Sequence, residues 1–373
     1  MVCADGPATG VAELSATMAG GGHEVTVYVR RDDPDSPARA LTEQGYTVIR
    51  VPAGPPEPLP EDELLSHLGT FAQWLVDWWA VDRPDVAHAH SWSSGVATQL
   101  AARESRVPTV QTFHGLGGRD AGPGARRKLE RLVARDADWV TAGCTGEAVE
   151  LIQMGRSRTG ISVLPCGVDL DMFTTHGDMA PRGGAPRIIS VGKVLAGRGF
   201  DIMIAALPAI PDAEYVIVGG PDPENLDGDP DVRRLRMLAL QLGVAPRVRF
   251  TGAVAHHDMP ALLRSADVLA HTPWREPFGI VPLEAMACGV PVVASAVGGL
   301  LDTVVHDVTG WLVPPGRPRE CATVVSAILR EDFLRRSLGL AGRDRVSARY
   351  SWCRIAEDTV RIYDRLAKAP VGV

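Results

Sequence analysis

The stretch that decides the fold of this chain is residues 273–299, PWREPFGIVPLEAMACGVPVVASAVGG. It begins with polar residues, Pro and Gly, continues with helical spacing, and ends in an unbroken run of β-branched and small apolar residues. This order predicts a loop after a strand, then a helix, a tight turn and a buried strand, as in a parallel βαβ unit. In open parallel sheets, the loops beyond the carboxyl ends of the strands bind ligands.

The same alternation of short β-branched runs and longer helical segments continues on both sides of this stretch. The predicted strands are residues 24–30, 46–52, 85–89, 108–113, 187–191, 215–218, 248–251, 268–271 and 292–295. Residues 168–184 are polar and rich in Gly and Asp, which is typical of a linker. We expect an α/β protein with two doubly wound domains, residues 1–174 and 185–350, and a C-terminal helix in residues 351–373 that packs back on the first domain.

Composition limits the classes of protein to which the chain can belong. Its 373 residues are 45% hydrophobic and 22% charged, which indicates a folded, enzyme-like protein. The formal net charge of −7 provides no positive field for nucleic acid, so we expect no nucleic-acid partner. The six cysteines are isolated, which argues against a disulfide framework or a zinc site. Without a long apolar run or a secretory signal, the sequence predicts no transmembrane segment and a cytoplasmic protein.

Two carboxylates occur in the loop and helix of the stretch 273–299. Glu276 precedes the predicted helix and Glu284 lies within it, while residues 278–280 offer backbone N–H groups at its N-terminus, where anions bind. A sugar diphosphate needs acceptors for its hydroxyl groups and donors for its phosphates, and this segment has both. The competing interpretation is a glycosidase pair, whose carboxyl groups lie roughly 5 to 9 Å apart. Eight helical residues span roughly 12 Å, which disfavours hydrolysis.

A second segment, VGKVLAGRG at residues 191–199, carries two cations between a strand end and a helix. Gly192 follows the strand, and Lys193 and Arg198 lie five residues apart. Cations in this position can neutralise a diphosphate as it leaves, with Arg as a two-pronged donor and Lys as a point charge. The alternative is that both are solvated surface residues.

Histidines occur at two predicted strand ends of the first half, in DVAHAHSW at residues 85–92 and QTFHGLG at residues 111–117. Isolated histidines are more often structural than functional, and we expect a structural role for His88. The positions at the strand ends favour His114 as a site residue. We expect His90 and Trp92 beside it to line the same cleft or to contact a substrate there.

The spacing of Glu276 and Glu284, with Pro-Phe-Gly between them, matches the E-x7-E signature of one enzyme family. The chain resembles the retaining glycosyltransferases of family 4, a group that includes sucrose-phosphate synthases and inositol-phosphate glycosyltransferases. The resemblance implies the GT-B fold, in which two Rossmann-like domains face a central cleft, and a nucleotide sugar as donor.

The resemblance also implies roles for individual residues. Glu276 would hold hydroxyl groups of the donor hexose, Glu284 the nucleotide ribose, and His114 would lie near the donor sugar and the reaction centre. Lys193 and Arg198, in the reverse of the family's usual order, would neutralise the diphosphate. The backbone near the sugar and phosphates would come from Gly192, Pro277, Phe278, Gly279 and Ile280.

The beginning of the chain departs from the family pattern. Family members open with an apolar strand and a Gly-Gly loop, whereas this sequence starts almost at the loop. We therefore expect the first domain to lack its usual first strand, with Gly6 and Gly10 approaching the phosphates. Acid pairs such as Asp169 with Asp171 resemble metal-binding Asp-x-Asp motifs, but they lie in a linker or loops. Because the two cations replace the electrostatic role of a metal, we expect no metal site.

The sequence predicts a metal-independent hexosyltransferase that uses a UDP-sugar as co-substrate and binds no permanent cofactor. The expected acceptor is a small polyol such as a cyclitol or aminocyclitol of antibiotic biosynthesis. Three alternatives stay open: a lipid or phosphoinositol glycosyltransferase using the basic segment 126–132, an epimerase or phosphorylase of the same fold, and a non-catalytic sensor of sugar nucleotides. The sequence leaves the oligomeric state open.

Overall fold

The computed structural model describes residues 1–3, 9–117 and 125–368. The described chain forms two compact units. The first comprises the residues up to Gly167 together with those from Trp352 onward, and the second comprises Val168–Ser351. The predicted two-domain α/β fold is confirmed.

The first unit is built on an eight-stranded sheet in the order β3-β4-β2-β1-β5-β6-β7-β8. The antiparallel pair β3 and β4 lies at one edge, and the other neighbouring strands are parallel. The strands are β1 Val2–Cys3, β2 Thr26–Arg30, β3 Arg39–Leu41, β4 Thr47–Val51, β5 Ala87–His90, β6 Thr109–Thr112, β7 Trp139–Ala142 and β8 Ile161–Val163.

The expectation that the first strand is missing is wrong. Val2 and Cys3 pair in parallel with Tyr28 and Val29 of β2, and Val2 also pairs with Ala89 of β5. The strand has only two residues, but both are buried and occupy the centre of the sheet. These two residues form a strand because they pair with longer strands on both sides, although their own apolar run is short.

Helices of the first unit connect its strands in the manner of βαβ crossovers. They are α1 Thr9–Gly20, α2 Glu61–Leu64, α3 Leu68–Trp79, α4 Trp92–Ser105, α5 Ala125–Asp136 and α6 Thr145–Gln153. The core between α3, α4 and the sheet includes Phe71, Leu75 and Trp79, each almost fully buried. A second cluster beneath α5 and α6 contains Val133 and Leu151.

The second unit contains a six-stranded parallel sheet in the order β11-β10-β9-β12-β13-β14. Its strands are β9 Arg187–Val191, β10 Glu214–Val218, β11 Val248–Phe250, β12 Val268–His271, β13 Val292–Ser295 and β14 Gly310–Val313. Its helices are α7 Phe200–Ala206, α8 Pro230–Gln241, α9 Met259–Arg264, α10 Ile280–Ala287, α11 Leu300–Thr303, α12 Pro318–Arg330 and α13 Asp332–Arg349.

Both faces of the second sheet are covered, as expected for a doubly wound fold. Along β9, Ile188 belongs to one core cluster and Ile189 to the other, because successive side chains of a strand point to opposite faces. Tyr215 and Val216 alternate in the same way on β10. The resulting rigid sheet fixes the positions of the loops at its carboxyl edge.

The boundaries of the two units differ from the predicted ones. Residues 168–173 belong to the second unit, where Phe173 is 1% exposed and the Val168 N–H donates to the Tyr350 carbonyl at 2.7 Å. The polar composition of the segment hides these contacts in the sequence.

The last helix, α14 Trp352–Ala367, belongs to the first unit. Ile355 and Ala356 pack against Leu14 and Met18 of α1. The first unit is therefore made of two separate stretches of chain.

Candidate functional site

Three loops converge at the carboxyl edge of the second sheet: residues 192–199 after β9, 272–279 after β12 and 296–299 after β13. Glycines permit this approach. A Cβ on Gly199 would lie 1.9 Å from the Thr272 carbonyl oxygen, and one on Gly298 would lie 2.0 Å from the Glu276 carbonyl oxygen. Hydrogen bonds from the Trp274 N–H to the Gly197 carbonyl and from the Gly299 N–H to the Glu276 carbonyl, both 2.9 Å, fix the loops together.

Glu276 lies at the centre of these loops with its carboxylate held by side chains and backbone. Its Oε2 is 3.1 Å from His271 Nε2 and 3.4 Å from Arg198 Nη1. Its Oε1 accepts hydrogen bonds from the N–H groups of Phe278 at 3.4 Å and Gly279 at 3.2 Å. The structure therefore brings a carboxylate, a cation and the two backbone N–H groups before α10 together within this unit.

The electrostatics of the site keep Glu276 ionised. Burial by itself would raise the pKa of this carboxyl, but His271, the Phe278 amide and Arg198 outweigh burial and hold the pKa below its ordinary value. An ionised carboxylate is a strong acceptor for hydroxyl groups.

The backbone at the start of α10 differs from expectation in one respect. The N–H groups of Phe278 and Gly279 are bonded to Glu276. Gly279, the N-cap of α10, has φ +90°, and Pro277 lies between Glu276 and these amides. Ile280 is the first residue of the helix.

Glu284 is largely buried in α10, and His256 approaches it from the turn before α9. His256 Nε2 lies 3.1 Å from Glu284 Oε1. The ring of His256 also contacts Phe173, with ring centroids 5.3 Å apart. The Glu284 carboxylate is thus held in place by His256.

The two cations after β9 have different surroundings. Arg198 is paired with Glu276, whereas Lys193 is exposed and forms no ion pair or hydrogen bond with any residue that the structure describes. Gly192 has φ +152°, and its N–H donates to the Val218 carbonyl at 2.9 Å, which joins the loop to β10.

The first unit brings three histidines together where β5 and β6 end. His114 Nε2 and His90 Nδ1 share a hydrogen bond of 2.9 Å, and the two rings stack with centroids 5.1 Å apart. His90 stacks in turn on His88 at 4.2 Å. His114 has an exposed surface, whereas the other two are buried.

These histidines are arranged as neutral rings. Burial lowers the pKa of His88 and of His90 well below the ordinary value, and desolvation by the surrounding protein also lowers the pKa of His114. His88 is fixed by Tyr363 Oη at 2.6 Å and Thr112 Oγ1 at 2.7 Å, in agreement with a structural role.

The remaining residues predicted for the first unit have other surroundings. Trp92 is 5% exposed and packs with Phe113 in the core, so we assign it a packing role. Gly10 lies in the first turns of α1, where a Cβ would meet Cys166 Sγ at 3.4 Å. Gly6 lies outside the described residues.

Several site-forming residues were missed by sequence reasoning. His271 ends β12, and that position is the signal that could have found it. Glu147 lies three residues after Cys144, the N-cap of α6, which is the spacing of a capping box. Glu130 and His256 have no comparable signal in the sequence.

Within residues 1–3, 9–117 and 125–368, no three His, Cys, Asp or Glu side chains are grouped so that they could hold a metal ion. In the same ranges no helix has the length and apolarity needed to cross a membrane.

Comparison with known proteins gives matches over both halves of the chain. Residues 5–167 match the model of the glycosyl transferase 4-like domain, and residues 173–345 match that of the glycosyl transferases group 1. A D-inositol 3-phosphate glycosyltransferase from Xylanimonas cellulosilytica is 34% identical over 390 residues, which cover 96% of this chain and 91% of the relative.

Solved structures show the same fold. A sucrose-phosphate synthase from Thermosynechococcus elongatus has a TM-score of 0.84 and 29% identity, and the match covers 96% of this chain and 93% of that one. Anabaena HepE, solved in complex with UDP-glucose, has a TM-score of 0.75 and 21% identity, with 98% of each chain covered.

The two doubly wound units and these matches define the class as GT-B glycosyltransferases. Within that class, the chain belongs to the family that combines a glycosyl transferase 4-like domain with a glycosyl transferases group 1 domain.

Proposed function

We propose that this protein transfers a hexose or aminohexose from a UDP-sugar to a hydroxyl group of a cyclitol or aminocyclitol, with retention at the anomeric carbon and without a metal ion. The observation that carries the proposal is the carboxylate of Glu276, held between His271, Arg198 and the two amides that directly precede α10. This cluster combines the acceptors and donors that a sugar diphosphate requires.

The donor would be bound mainly by the loops of the second unit. Glu276, kept ionised by its neighbours, would accept hydrogen bonds from hexose hydroxyl groups, and Glu284 from the ribose. The amides of Phe278 and Gly279 make long bonds to Glu276, so a phosphate can compete for them at the helix N-terminus. UDP as the nucleotide is supported by the UDP-glucose complex of Anabaena HepE.

In the proposed reaction, the bond from the anomeric carbon to the diphosphate oxygen breaks, and the bond to the acceptor oxygen forms on the same face. The acceptor proton passes to the departing phosphate oxygen, so the products are UDP and a glycoside. Arg198 and the exposed Lys193 would offset the charge that develops on the diphosphate. This charge compensation supports transfer without a metal ion. His114 would contact the donor sugar, and retention follows the resemblance to family 4.

The acceptor is the less determined substrate. Curated relatives named D-inositol 3-phosphate glycosyltransferases support a cyclitol ring. In the first unit His88 and His90 are neutral, and Arg126 is already paired with Glu130 at 2.9 Å. These side chains offer little charge for a phosphate, which favours an uncharged cyclitol or an aminocyclitol of antibiotic biosynthesis.

A second candidate is transfer to an inositol phosphate, as in the names of these relatives. The specific observation in its favour is the exposed basic face of α5, formed by Arg127, Lys128 and Arg131. These residues could attract a phosphorylated acceptor or an anionic headgroup.

The test is a mass-spectrometric assay of UDP-glucose, UDP-N-acetylglucosamine, GDP-glucose and ADP-glucose against three acceptors, with and without EDTA. The acceptors are myo-inositol, inositol 3-phosphate and 2-deoxystreptamine. We expect a glycoside from a UDP-sugar that persists in EDTA. In Glu276→Ala the rate should fall by about 100-fold or more, because hydroxyl and phosphate positioning are both lost.

The matched control is Glu224→Ala, which removes an exposed carboxylate elsewhere in the second unit and should turn over like wild type. Full activity of Glu276→Ala, or loss of product in EDTA, would contradict the proposed site. Binding of a UDP-sugar without product from any acceptor would favour a sensor instead. Product only from inositol 3-phosphate would select the second candidate.

A further inference from the structure

The loop after β6 holds His114 in an unusual backbone conformation. Its φ of +57° lies in the left-handed region, which residues with a side chain rarely adopt. Such a conformation persists when surrounding contacts over-determine it, and it is often found at functional sites. In this conformation His114 Nε2 lies 2.9 Å from His90 Nδ1.

One of the surrounding contacts is the carboxylate of Glu147, near the start of α6. Its Oε1 accepts a hydrogen bond from the Gly115 N–H at 3.3 Å, and its Oε2 accepts one from the Gly143 N–H at 2.6 Å. Gly115 follows His114 directly, and Gly143 follows β7. A single carboxylate thus joins the loops that leave two neighbouring strands.

A second carboxylate binds the same loop two residues after Gly115. Glu130 of α5 is 1% exposed and accepts hydrogen bonds from the Gly117 N–H at 3.0 Å and from Arg126 Nε at 2.9 Å. The Glu130 carboxylate has a charged partner in Arg126, whereas the Glu147 carboxylate accepts its hydrogen bonds from the Gly115 and Gly143 amides. A substitution of Glu147 therefore affects the loop of His114 more specifically than a substitution of Glu130 would.

We propose that Glu147 is a positioning residue for sugar transfer: by joining Gly115 to Gly143, it holds His114 in the left-handed conformation in which its ring meets His90. The inference rests on the proposed function only in that His114 contacts the donor sugar. In this proposal the Glu147 carboxylate acts through the backbone of the His114 loop.

Ionisation of Glu147 controls this contact. Burial raises the pKa of the Glu147 carboxyl, although the amides of Gly143 and Gly115 act in the opposite direction. The charged groups that act on this carboxyl are Glu150 of α6 and Glu130 of α5, and both raise its pKa further. Protonation turns one acceptor oxygen into a hydroxyl, so one amide loses its partner as the pH falls. The loop is then released at a higher pH than an ordinary glutamate would require.

The first experiment compares Glu147→Gln with Glu150→Gln, a matched control on the exposed surface of the same helix. In Glu147→Gln the amide NH2 faces a backbone N–H, so one loop bond is lost at every pH. We expect kcat to fall roughly 10- to 100-fold, as for small misplacements of catalytic groups. The fall of kcat at low pH that protonation of Glu147 causes in the wild type should also be absent from this variant. Glu150→Gln should retain the rate and keep this fall, which moves only slightly to lower pH because the Glu150 charge no longer raises the pKa of Glu147.

The second experiment does not depend on turnover. Nitrogen-15 NMR of the His114 ring, assigned with His114→Gln, reports its hydrogen bond to His90. We expect the Nε2 resonance to move toward that of a solvated imidazole in Glu147→Gln and to stay in place in Glu150→Gln.

An unchanged His114 resonance and an unchanged pH profile in a folded Glu147→Gln protein would overturn the inference. A wild-type protein that transfers no sugar, but whose His114 resonance moves in Glu147→Gln, would refute the proposed function while keeping the positioning contact. The two failures are therefore distinguishable.

Discussion

At the scale of single residues, the proposed binding of the donor sugar requires Glu276 to stay ionised although its side chain is largely buried. Burial favours the neutral acid, and neighbouring donors favour the ion. His271 makes the shortest contact to it, at 3.1 Å, and Arg198 lies slightly farther away at 3.4 Å. The balance between these effects sets the pKa of Glu276, and this pKa determines how kcat/KM for the donor depends on pH.

Replacing His271 should change that pH dependence. In His271→Phe the hydrogen bond and charge that lower the pKa of Glu276 are removed, while burial remains. The carboxylate then protonates at a higher pH, so the acid limb of kcat/KM for the donor should move upward. The measurement is kcat/KM against pH for wild type and variant.

The control is His257→Phe, an exposed histidine of the same unit. Its profile should coincide with that of wild type. If His271→Phe lowered kcat/KM by the same factor at every pH, His271 would have only a packing role.

At the scale of elements, close backbone approach after β9, β12 and β13 creates the site. Gly199 has φ +82°, and a Cβ there would overlap the Thr272 carbonyl oxygen at 1.9 Å. The position therefore requires glycine both for its backbone angle and for space. These two requirements can be separated experimentally.

Gly243 provides the comparison, because its φ is +68° but a Cβ there meets nothing within 4 Å. Gly243→Ala should lower the free energy of unfolding by about 1–2 kcal/mol through backbone strain alone. Gly199→Ala should cost about 1–3 kcal/mol more, because the loop after β12 must move. Denaturant unfolding measures both.

The same pair of variants tests the link from element to function. Gly199→Ala should raise KM for the donor, since movement at Thr272 shifts Glu276, and Gly243→Ala should leave KM unchanged. Equal stability losses and equal KM values in the two variants would show that the close approach is unimportant.

At the scale of the whole molecule, the fold could be predicted where strands are apolar and buried. The predicted bounds of β9, β12 and β13 agree with the structure because every residue of these strands is buried. Strands β3, β7, β8 and β14 were not predicted. Strands β3, β8 and β14 lie at sheet edges and are partly exposed, and β7 has only four residues. The two-residue β1 is stabilised by its neighbours, which single-sequence patterns do not show.

The candidate site divides in a similar way. The spacing of Glu276, Glu284 and Arg198 could be read from the sequence because local segments carry it. The contacts of Glu147 with Gly115 and of His256 with Glu284 join residues about 30 positions apart, and only the folded chain brings them together. The sequence pointed to candidate site residues, but it could not predict which side chains hold them by hydrogen bonds.

Retaining transfer from a UDP-sugar can be tested by following UDP release and product structure in one experiment. With the UDP-α-hexose and acceptor selected by the panel, we predict one glycoside for each UDP released. Proton NMR should show that the new linkage is α. A β-linked product would contradict retention, and UDP release that yields only free hexose, independent of acceptor, would contradict transfer.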